Sequence, residues 1–462
     1  MKKLLFFLIL LMINSNLFAQ TENYTTAIGQ FQENYNAGKY DDIFNTFSPE
    51  MKKAFPLVNI KQFLADLKTR AGAIKSKQFI TYQQGSFAVY KTQFEKGVLA
   101  INIAVDSQNK INRISIKPYE ETKEHQTKAI NALTTYPKEI AEIIYSKSQD
   151  IPDNAQFSVA IIQNNKTNYY GMIKENGMIK PIENQNKIFE IGSITKVFTS
   201  SVLASLVENH TIKLTDHINS YYSFPFKNNI KINFESLANQ TSGLPRLPTN
   251  LDLSDEVNPY KNYQQKELEE YLKDLLTIET KGYSYSNLGT GLLGYTLGLS
   301  QKTTFQKLLQ KTVFDKYKMT NSFTISENLG TRLVKGLKKN GETTSNWDFD
   351  VLFGAGGILS TTEDLAKFAI AQFDPANKEL ALTRKPDFTI DEAMKIGLGW
   401  HILKSKGGKE FVWHNGGTGG YSSSMAVNTN DKTAVIILTN VSEINASVDK
   451  LCFELLDYTE KK

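Results

Sequence analysis

A serine and a lysine three residues apart open an apolar segment that reads FEIGSITKVFTSSVLASL, from Phe189 to Leu206. On a helix, Ser193 and Lys196 share one face, so their side chains can meet. The positive end of the helix dipole favours negative charge on a serine oxygen, and an apolar pocket favours the neutral form of a lysine. A neutral Lys196 could accept the Ser193 proton, which is nucleophile activation by an adjacent base.

The Ser-x-x-Lys pattern alone is weakly specific, because it also occurs at Ser107 to Lys110 and at Ser447 to Lys450. The first of these lies in a polar turn and the second on the exposed side of the predicted C-terminal helix. Only the pattern at Ser193 opens a helix that is apolar almost all round, which is typical of a buried element.

Two further segments carry polar groups that could face the same cleft. In KGYSYSNLGTGLLG, Tyr285 and Asn287 lie where a loop turns into a predicted helix, and they offer a phenol and a carboxamide. In WHNGGTGGYSS, His414 ends a predicted strand and is followed by Gly416 and Gly417. Glycines at such a point let a substrate lie close to the backbone.

In chain order, the three motifs resemble the active-site signature of the serine β-lactamase and penicillin-binding protein superfamily, specifically its class C-like branch. LANQTSGLP, from Leu237 to Pro245, and GAGGILSTTEDLAKFA, from Gly354 to Ala369, resemble that branch as well. The likeness covers roughly residues 136–458. The three motifs are specific when they occur together in this order. A second Tyr-x-Asn occurs at Tyr260 to Asn262, where a tyrosine in the core is the ordinary explanation.

The resemblance implies a role for each motif residue. Ser193 is expected to be the acylated nucleophile, and Lys196 and Tyr285 are expected to share the base work, with the holder of the proton left open. Asn287 is expected to hold Lys196 and the substrate amide. The backbone N–H groups of Ser193 and Gly417 are expected to form the oxyanion hole, which is commonly worth about 3 kcal/mol per donor.

Two residues depart from the pattern of the relatives. His414, which with Gly416 and Gly417 is expected to bind substrate, stands where many relatives have lysine. A lysine offers a fixed charge to a substrate carboxylate, whereas a histidine near neutral pH is charged only part of the time. Esterase or peptidase action is therefore favoured over strong β-lactamase or carboxypeptidase action. Gln240 stands where relatives often have histidine, with no clear consequence.

The composition disfavours several other functions. The 462 residues carry a net charge of +5 without a basic block, whereas nucleic-acid binders concentrate positive charge on one face. Cys452 is the only cysteine and the five histidines are scattered, so a metal enzyme is disfavoured. We expect no cofactor, no metal and no nucleic-acid partner. The expected partner is a small-molecule or peptide substrate, with peptidoglycan fragments as one candidate class.

Four segments are predicted along the chain. Residues 1–19 have the basic start, apolar run and small final residue of a cleaved export signal, so we expect a periplasmic or secreted protein without a membrane span after signal removal. Residues 20–118 predict a small α+β domain of helices followed by an antiparallel meander. The charged stretch 119–128, with little apolar content, predicts a domain boundary and a linker over residues 119–135, and residues 136–462 predict the hydrolase domain.

The fold class predicted for the hydrolase domain is α+β. Strands are expected at 156–163 and 167–174 near its start and between 397 and 440 near its end, with mostly helical segments between them. This order favours one antiparallel sheet that the two ends of the domain close, flanked by helices and carrying a helical lobe. The resemblance implies the same β-lactamase/transpeptidase-like architecture.

The expected function is that of an exported serine hydrolase that cleaves an ester or amide through a Ser193 acyl-enzyme. A β-lactam, a D-amino-acid peptide and a small ester remain open as substrates. The alternative from another class is a catalytically idle protein that binds penicillin or peptidoglycan fragments, as a sensor does. Slow or absent turnover despite stoichiometric acylation would favour this alternative.

Overall fold

The computed structural model of the chain describes residues 23–83, 87–106, 108–119, 128–164, 166–252, 254–255, 257–278 and 282–461. The predicted export signal, residues 1–19, lies outside these ranges. The chain forms two compact units that divide between residues 126 and 127. Within the described ranges, no helix combines the length and the apolar character that a membrane crossing requires.

The first unit packs helices against one face of an antiparallel sheet. Its described elements are α1 (residues 23–37), α2 (Tyr40–Asn45), α3 (Pro49–Ala54), α4 (Leu57–Ala71), β1 (Ile74–Gln83), β2 (Phe87–Phe94), β3 (Gly97–Val105) and β4 (Ile111–Pro118). The strands follow one another in the order β1-β2-β3-β4. Helix α4 buries Ile60, Leu64 and Leu67, which recur every three or four residues along one face. The predicted α+β class of this part is confirmed.

The second unit is built on an eleven-stranded sheet, counted over the described residues. The strands of the unit are β5 (Ile130–Asn131), β6 (Gln156–Gln163), β7 (Lys166–Tyr169), β8 (Gly171–Glu175), β9 (Met178–Ile182), β10 (Phe189–Glu190), β11 (Leu359–Ser360), β12 (Phe388–Thr389), β13 (Lys395–Ile396), β14 (His401–Lys404), β15 (Glu410–Gly417), β16 (Ser422–Asn428) and β17 (Thr433–Thr439). The sheet order is β12-β13-β14-β15-β16-β17-β6-β8-β9-β5, with β7 also paired to β6, while β10 and β11 pair separately. Because β6 pairs with β17, the two ends of the unit close the sheet, as predicted.

Helices cover both faces of this sheet. They are α5 (Lys138–Ser148), α6 (Thr195–Glu208), α7 (Phe234–Ala238), α8 (Gln265–Glu270), α9 (Asn287–Ser300), α10 (Phe305–Leu309), α11 (Thr362–Ala371), α12 (Lys378–Arg384) and α13 (Asn445–Glu460). Helices α5 and α13 share one core with the sheet, and the larger helical lobe that contains α6 and α9 shares the other. Val435 and Ile437 of β17 enter the first core, whereas Ile436 and Leu438 enter the second. This strand reads as an unbroken apolar run because both of its faces are buried.

The predicted linker over residues 119–135 is too long. Strand β5 pairs with β9 of the second unit, and the Ile130 N–H donates to the Gly177 carbonyl at 2.8 Å. Ala129 and Leu133 are buried in the core that α5 and α13 share. Backbone pairing and two buried apolar side chains therefore place residues 129–133 within the second unit, although the charged stretch that ends at Lys128 precedes them directly.

Strand β15 crosses directly over the turn that carries Ser193. A 3-10 turn, Gly192–Ile194, precedes α6. A Cβ atom on Gly416 would lie 2.0 Å from the Ile191 carbonyl oxygen and 2.8 Å from the Ser193 nitrogen. Gly192 has a φ of +51°, and a Cβ there would lie 2.7 Å from the Gly417 nitrogen. Backbone passes against backbone at this crossing, so it has no space for side chains.

We expect Gly416→Ala to lower the free energy of unfolding by about 2 kcal/mol, because the added methyl group meets backbone atoms that cannot rotate away. The measurement is urea unfolding of the purified protein. Gly417→Ala is the matched control, since its Cβ meets the rotatable Asn445 side chain at 3.0 Å. Equal losses in the two variants would contradict the close crossing.

Candidate active site

Ser193 and Lys196 lie at the head of the buried helix, as the sequence predicts, but on two different elements. Ser193 belongs to the 3-10 turn, and α6 begins two residues later at Thr195. The Lys196 Nζ atom lies 3.1 Å from the Ser193 Oγ atom. Lys196 is 0 % exposed, whereas Ser193 is partly exposed, so the hydroxyl can meet a substrate while the amine stays out of water.

The Lys196 amine has two further contacts, both with carbonyl oxygens. Its Nζ atom lies 2.9 Å from Asn287 Oδ1 and 2.7 Å from the backbone oxygen of Ala355. Burial lowers the pKa of Lys196 well below its ordinary value, and the positive charge of Arg246 lowers it further. The desolvated amine is therefore uncharged in a much larger fraction of molecules than an exposed lysine.

The three neighbours of Lys196 determine where its lone pair points. A neutral primary amine has two hydrogens and one lone pair, and carbonyl oxygens can only accept hydrogen bonds. Asn287 and Ala355 consequently take the two hydrogens. The lone pair is left for the remaining neighbour, the Ser193 hydroxyl, which can donate. The geometry thus suits transfer of the Ser193 proton to Lys196.

Tyr285 completes the group around the nucleophile. Its side chain interacts with that of Ser193, and burial raises the pKa of the phenol above its ordinary value. The Lys196 Nζ atom lies 4.9 Å from the centroid of the ring. At neutral pH Tyr285 therefore carries its proton and can donate a hydrogen bond, while the lowered pKa of Lys196 favours the free lone pair on the amine.

Tyr260 is a part of the site that the sequence analysis assigns to the core. The Asn287 Nδ2 group donates to the Tyr260 hydroxyl at 3.0 Å, which holds Asn287 Oδ1 towards Lys196. Tyr260 is 6 % exposed and stacks on Phe349 with ring centroids 4.6 Å apart. It does lie in the core, as an ordinary tyrosine would, but its hydroxyl orients a predicted site residue. Since Tyr260 is 27 residues from Asn287, no local spacing could reveal the contact.

His414 lies beside Tyr285, with ring centroids 6.2 Å apart. Its Nδ1 atom lies 2.6 Å from the Asn415 carbonyl oxygen, so Nδ1 carries the hydrogen. Burial lowers the pKa of His414 well below its ordinary value, and His401 lowers it further. Burial likewise lowers the pKa of His401 to about 4, and the Nε2 atom of His401 lies 2.9 Å from the Tyr283 hydroxyl. His414 is thus neutral at neutral pH, not partly charged as expected from its type.

The last residues of β15 hold the predicted oxyanion donors near each other. Gly416 lies against Ser193 and Gly417 against Gly192, through the close crossing described above. The Asn445 Nδ2 group donates to the Gly416 carbonyl at 2.6 Å, which fixes this end of the strand. The crossing brings the backbone of Gly417 close to the turn that carries Ser193, so the two predicted donors of the anion site belong to neighbouring backbone segments.

The loop that contains TSGLP is fastened to the start of α9. The Ser286 N–H donates to Gln240 Oε1 at 2.6 Å, and Ser286 Oγ donates to the Pro245 carbonyl at 2.6 Å. The Asn287 N–H donates to the Arg246 carbonyl at 3.0 Å. Gln240 therefore has a clear structural consequence, since it positions the segment that carries Tyr285 and Asn287.

Both units of the chain match described protein families. The Beta-lactamase family model matches residues 149–452, and residues 29–114 match a family described as a protein of unknown function, DUF3887. A β-lactamase of Pseudomonas fluorescens is 29 % identical over 262 residues, which cover 54 % of this chain and 70 % of that protein. The D-alanyl-D-alanine-carboxypeptidase/endopeptidase AmpH of Escherichia coli K12 is 25 % identical over 285 residues, which cover 56 % of this chain and 71 % of that protein.

Solved structures share the fold. A β-lactamase/D-alanine carboxypeptidase from Pseudomonas syringae aligns with a TM-score of 0.59 at 20 % identity, covering 69 % of this chain and 98 % of that one. A class C β-lactamase from Rhodobacter sphaeroides aligns with a TM-score of 0.59 at 15 % identity, covering 70 % and 99 %. With the family match spanning most of the second unit, the chain belongs to the Beta-lactamase family and is a serine hydrolase related to the β-lactamases.

Proposed function

We propose that this serine hydrolase cleaves an ester or amide bond through an acyl-enzyme on Ser193, and that it does so outside the cytoplasm. The observation that carries the proposal is the 3.1 Å contact between Lys196 Nζ and Ser193 Oγ, with the other two contacts of the amine taken by obligate acceptors. The export signal predicted for residues 1–19 supports the location.

In the first half-reaction, Ser193 Oγ transfers its proton to Lys196 and bonds to the carbonyl carbon of the substrate. The negative charge on the carbonyl oxygen is received by the N–H groups of Ser193 and Gly417. The bond to the leaving group then breaks, and the leaving group takes a proton from the Lys196 and Tyr285 pair. In the second half-reaction, the same pair activates a water molecule, which hydrolyses the acyl-Ser193 ester.

The neutral state of His414 bears on the substrate. A lysine at this position would offer a fixed positive charge to a substrate carboxylate, whereas the buried His414 offers an uncharged ring. Residue 414 therefore supplies no charge for a substrate carboxylate, so strong β-lactamase or D,D-carboxypeptidase action would need a cation elsewhere in the site, whereas hydrolysis of uncharged esters would not. An idle binding protein remains the alternative, and the first prediction below separates the two.

We expect a fluorophosphonate probe to add its mass to the peptide that contains Ser193, because the free lone pair of Lys196 makes the hydroxyl nucleophilic. Intact and peptide mass spectrometry measure the labelling. Ser193→Ala should remain unlabelled, while Ser447→Ala, from the exposed second Ser-x-x-Lys pattern, should label like the wild type. An unmodified Ser193 would overturn the mechanism. Stoichiometric labelling without turnover of short-chain p-nitrophenyl esters would favour the idle binding protein.

We expect the kcat/KM of ester hydrolysis to fall as the pH falls through the lowered pKa of Lys196, because protonation fills the lone pair that accepts the Ser193 proton. The pH–rate profile should therefore reach its plateau well below the ordinary lysine pKa.

Lys196→Met should reduce kcat/KM by about 10³-fold, in the range of lost general-base catalysis. Since the methionine is apolar and close in length, the melting temperature of the variant should not fall. Lys450→Met, on the exposed second pattern, is the matched control and should keep full activity. In the pH–rate profile of the wild-type enzyme, a plateau of kcat/KM that begins only near the ordinary lysine pKa would contradict the neutral amine.

We expect Tyr260→Phe to lower kcat about tenfold. The variant loses one hydrogen bond to Asn287, worth roughly 1.5 kcal/mol. The Asn287 amide can then rotate and point Nδ2, instead of Oδ1, at the Lys196 amine, where it competes with Ser193 for the lone pair. The ring stack on Phe349 is kept, so the melting temperature should change little. The pH–rate profile is the second readout, since an amide that has rotated alters the pKa of Lys196. Unchanged kcat and an unchanged profile would show that Tyr260 does not orient Asn287.

A further inference from the structure

Arg246 lowers the pKa of Lys196, but no step of the mechanism above brings its guanidinium into contact with the substrate. Its guanidinium carbon lies 5.3 Å from the centroid of the Tyr285 ring, and its side chain is exposed. Over the residues that the structure describes, no carboxylate forms an ion pair with it. A cation without a counterion therefore borders the ring that contacts the nucleophile.

The backbone of Arg246 is fixed to the active site. Its carbonyl oxygen accepts the N–H groups of Asn287 at 3.0 Å and Leu288 at 3.2 Å. The carbonyl of the preceding residue, Pro245, accepts the Ser286 hydroxyl at 2.6 Å. Because these bonds join Arg246 to the first turn of α9, its Cα atom holds a set position relative to Tyr285, and only the side chain needs ordering when a ligand binds.

The neighbouring basic groups offer a substrate little charge, because His401 and His414 are neutral at neutral pH and the Lys196 side chain is 0 % exposed. Burial lowers the pKa values of Lys196 and His414 well below their ordinary ranges, and it lowers that of His401 to about 4. Arginine side chains carry a permanent positive charge in proteins. Among the described groups around Tyr285, the positive charge available to a substrate is thus that of Arg246.

We propose that Arg246 binds a carboxylate of the substrate, so that the preferred substrates are esters or amides with a carboxylate near the scissile bond. The inference rests on the proposed function and narrows its substrate class. The planar guanidinium matches a carboxylate with two parallel hydrogen bonds. The low-dielectric wall formed by Tyr285 and the buried core strengthens this attraction relative to open surface. The cation for substrate recognition would then lie on the TSGLP loop and not at residue 414.

Two matched pairs of substrates test the inference and locate the carboxylate. The acyl-side pair is the mono-p-nitrophenyl ester of adipic acid and its methyl-capped counterpart. The leaving-group pair is S-acetyl mercaptoacetate and its methyl ester. A thiol reagent measures the thiol that hydrolysis releases from each. In each pair the members differ in one negative charge. The measured quantity is the ratio of kcat/KM for the anionic member to that for the neutral member, on the pH plateau.

We expect wild-type enzyme to prefer the anionic member of one pair, and Arg246→Gln to reduce that ratio about tenfold, as the loss of a charge-assisted hydrogen bond does. Arg246→Lys should keep part of the preference, since it retains the charge without the planar fork. Lys261→Gln, which removes an exposed positive charge from the neighbouring loop, is the matched control and should leave the ratio unchanged. Higher salt should narrow the wild-type preference.

The ratio separates this inference from the proposed function. Arg246 also lowers the pKa of Lys196, but that effect acts on both members of a pair and cancels in the ratio. Equal kcat/KM values for the two members of each pair in wild type, or a preference that survives in Arg246→Gln, would overturn the carboxylate site. The hydrolase proposal would still be upheld if the neutral members are cleaved in a Ser193-dependent way. Absence of Ser193-dependent cleavage of all four substrates would overturn both.

Discussion

The active site depends on one desolvated primary amine. Lys196 is buried completely, and its three polar neighbours are two carbonyl oxygens and one hydroxyl. In water the amine would be protonated and could not act as a base, so the fold must keep water and carboxylates away from it. A carboxylate partner would restore the charged form. The described surroundings of Lys196 provide none, and the positive charge of Arg246 acts in the direction that favours the neutral amine.

The architecture supplies this environment from parts that are distant along the chain. Helix α6, which is apolar on nearly every side, carries the lysine into the core between the sheet and the helical lobe. The loop before α9 brings Tyr285, the first residue of α9 is Asn287, and the segment before β11 brings the Ala355 carbonyl. Strand β15 closes the remaining side without side chains, because only glycine at residue 416 fits against the nucleophile turn. Each part also belongs to the main core, so stability and chemistry share the same contacts.

The sequence predicts local secondary structure, and the order of the three motifs predicts which residues gather at the site. Periodicity predicts β6 over its full length, and the order of the elements predicts a sheet that β6 and β17 close. The motifs predict the residues that the structure brings around Ser193. Spacing could not reveal that Tyr260 orients Asn287, that Gln240 fastens the loop before α9, or that residues 129–133 pair with the second unit. Those contacts join segments far apart in sequence, where only the folded chain defines the partner.

The charge state of His414 shows how burial changes the chemistry that a residue type predicts. An exposed histidine is partly charged near neutral pH, yet the ring on β15 donates from Nδ1 to its own strand and is otherwise surrounded by protein. Two neutral imidazoles, His414 and His401, with ring centroids 5.2 Å apart, avoid the repulsion that two charged rings would have. A buried third motif of this kind can shape the wall beside Tyr285 but cannot attract an anion. The proposed carboxylate site accordingly lies at the rim, where Arg246 is exposed and its backbone is held by α9.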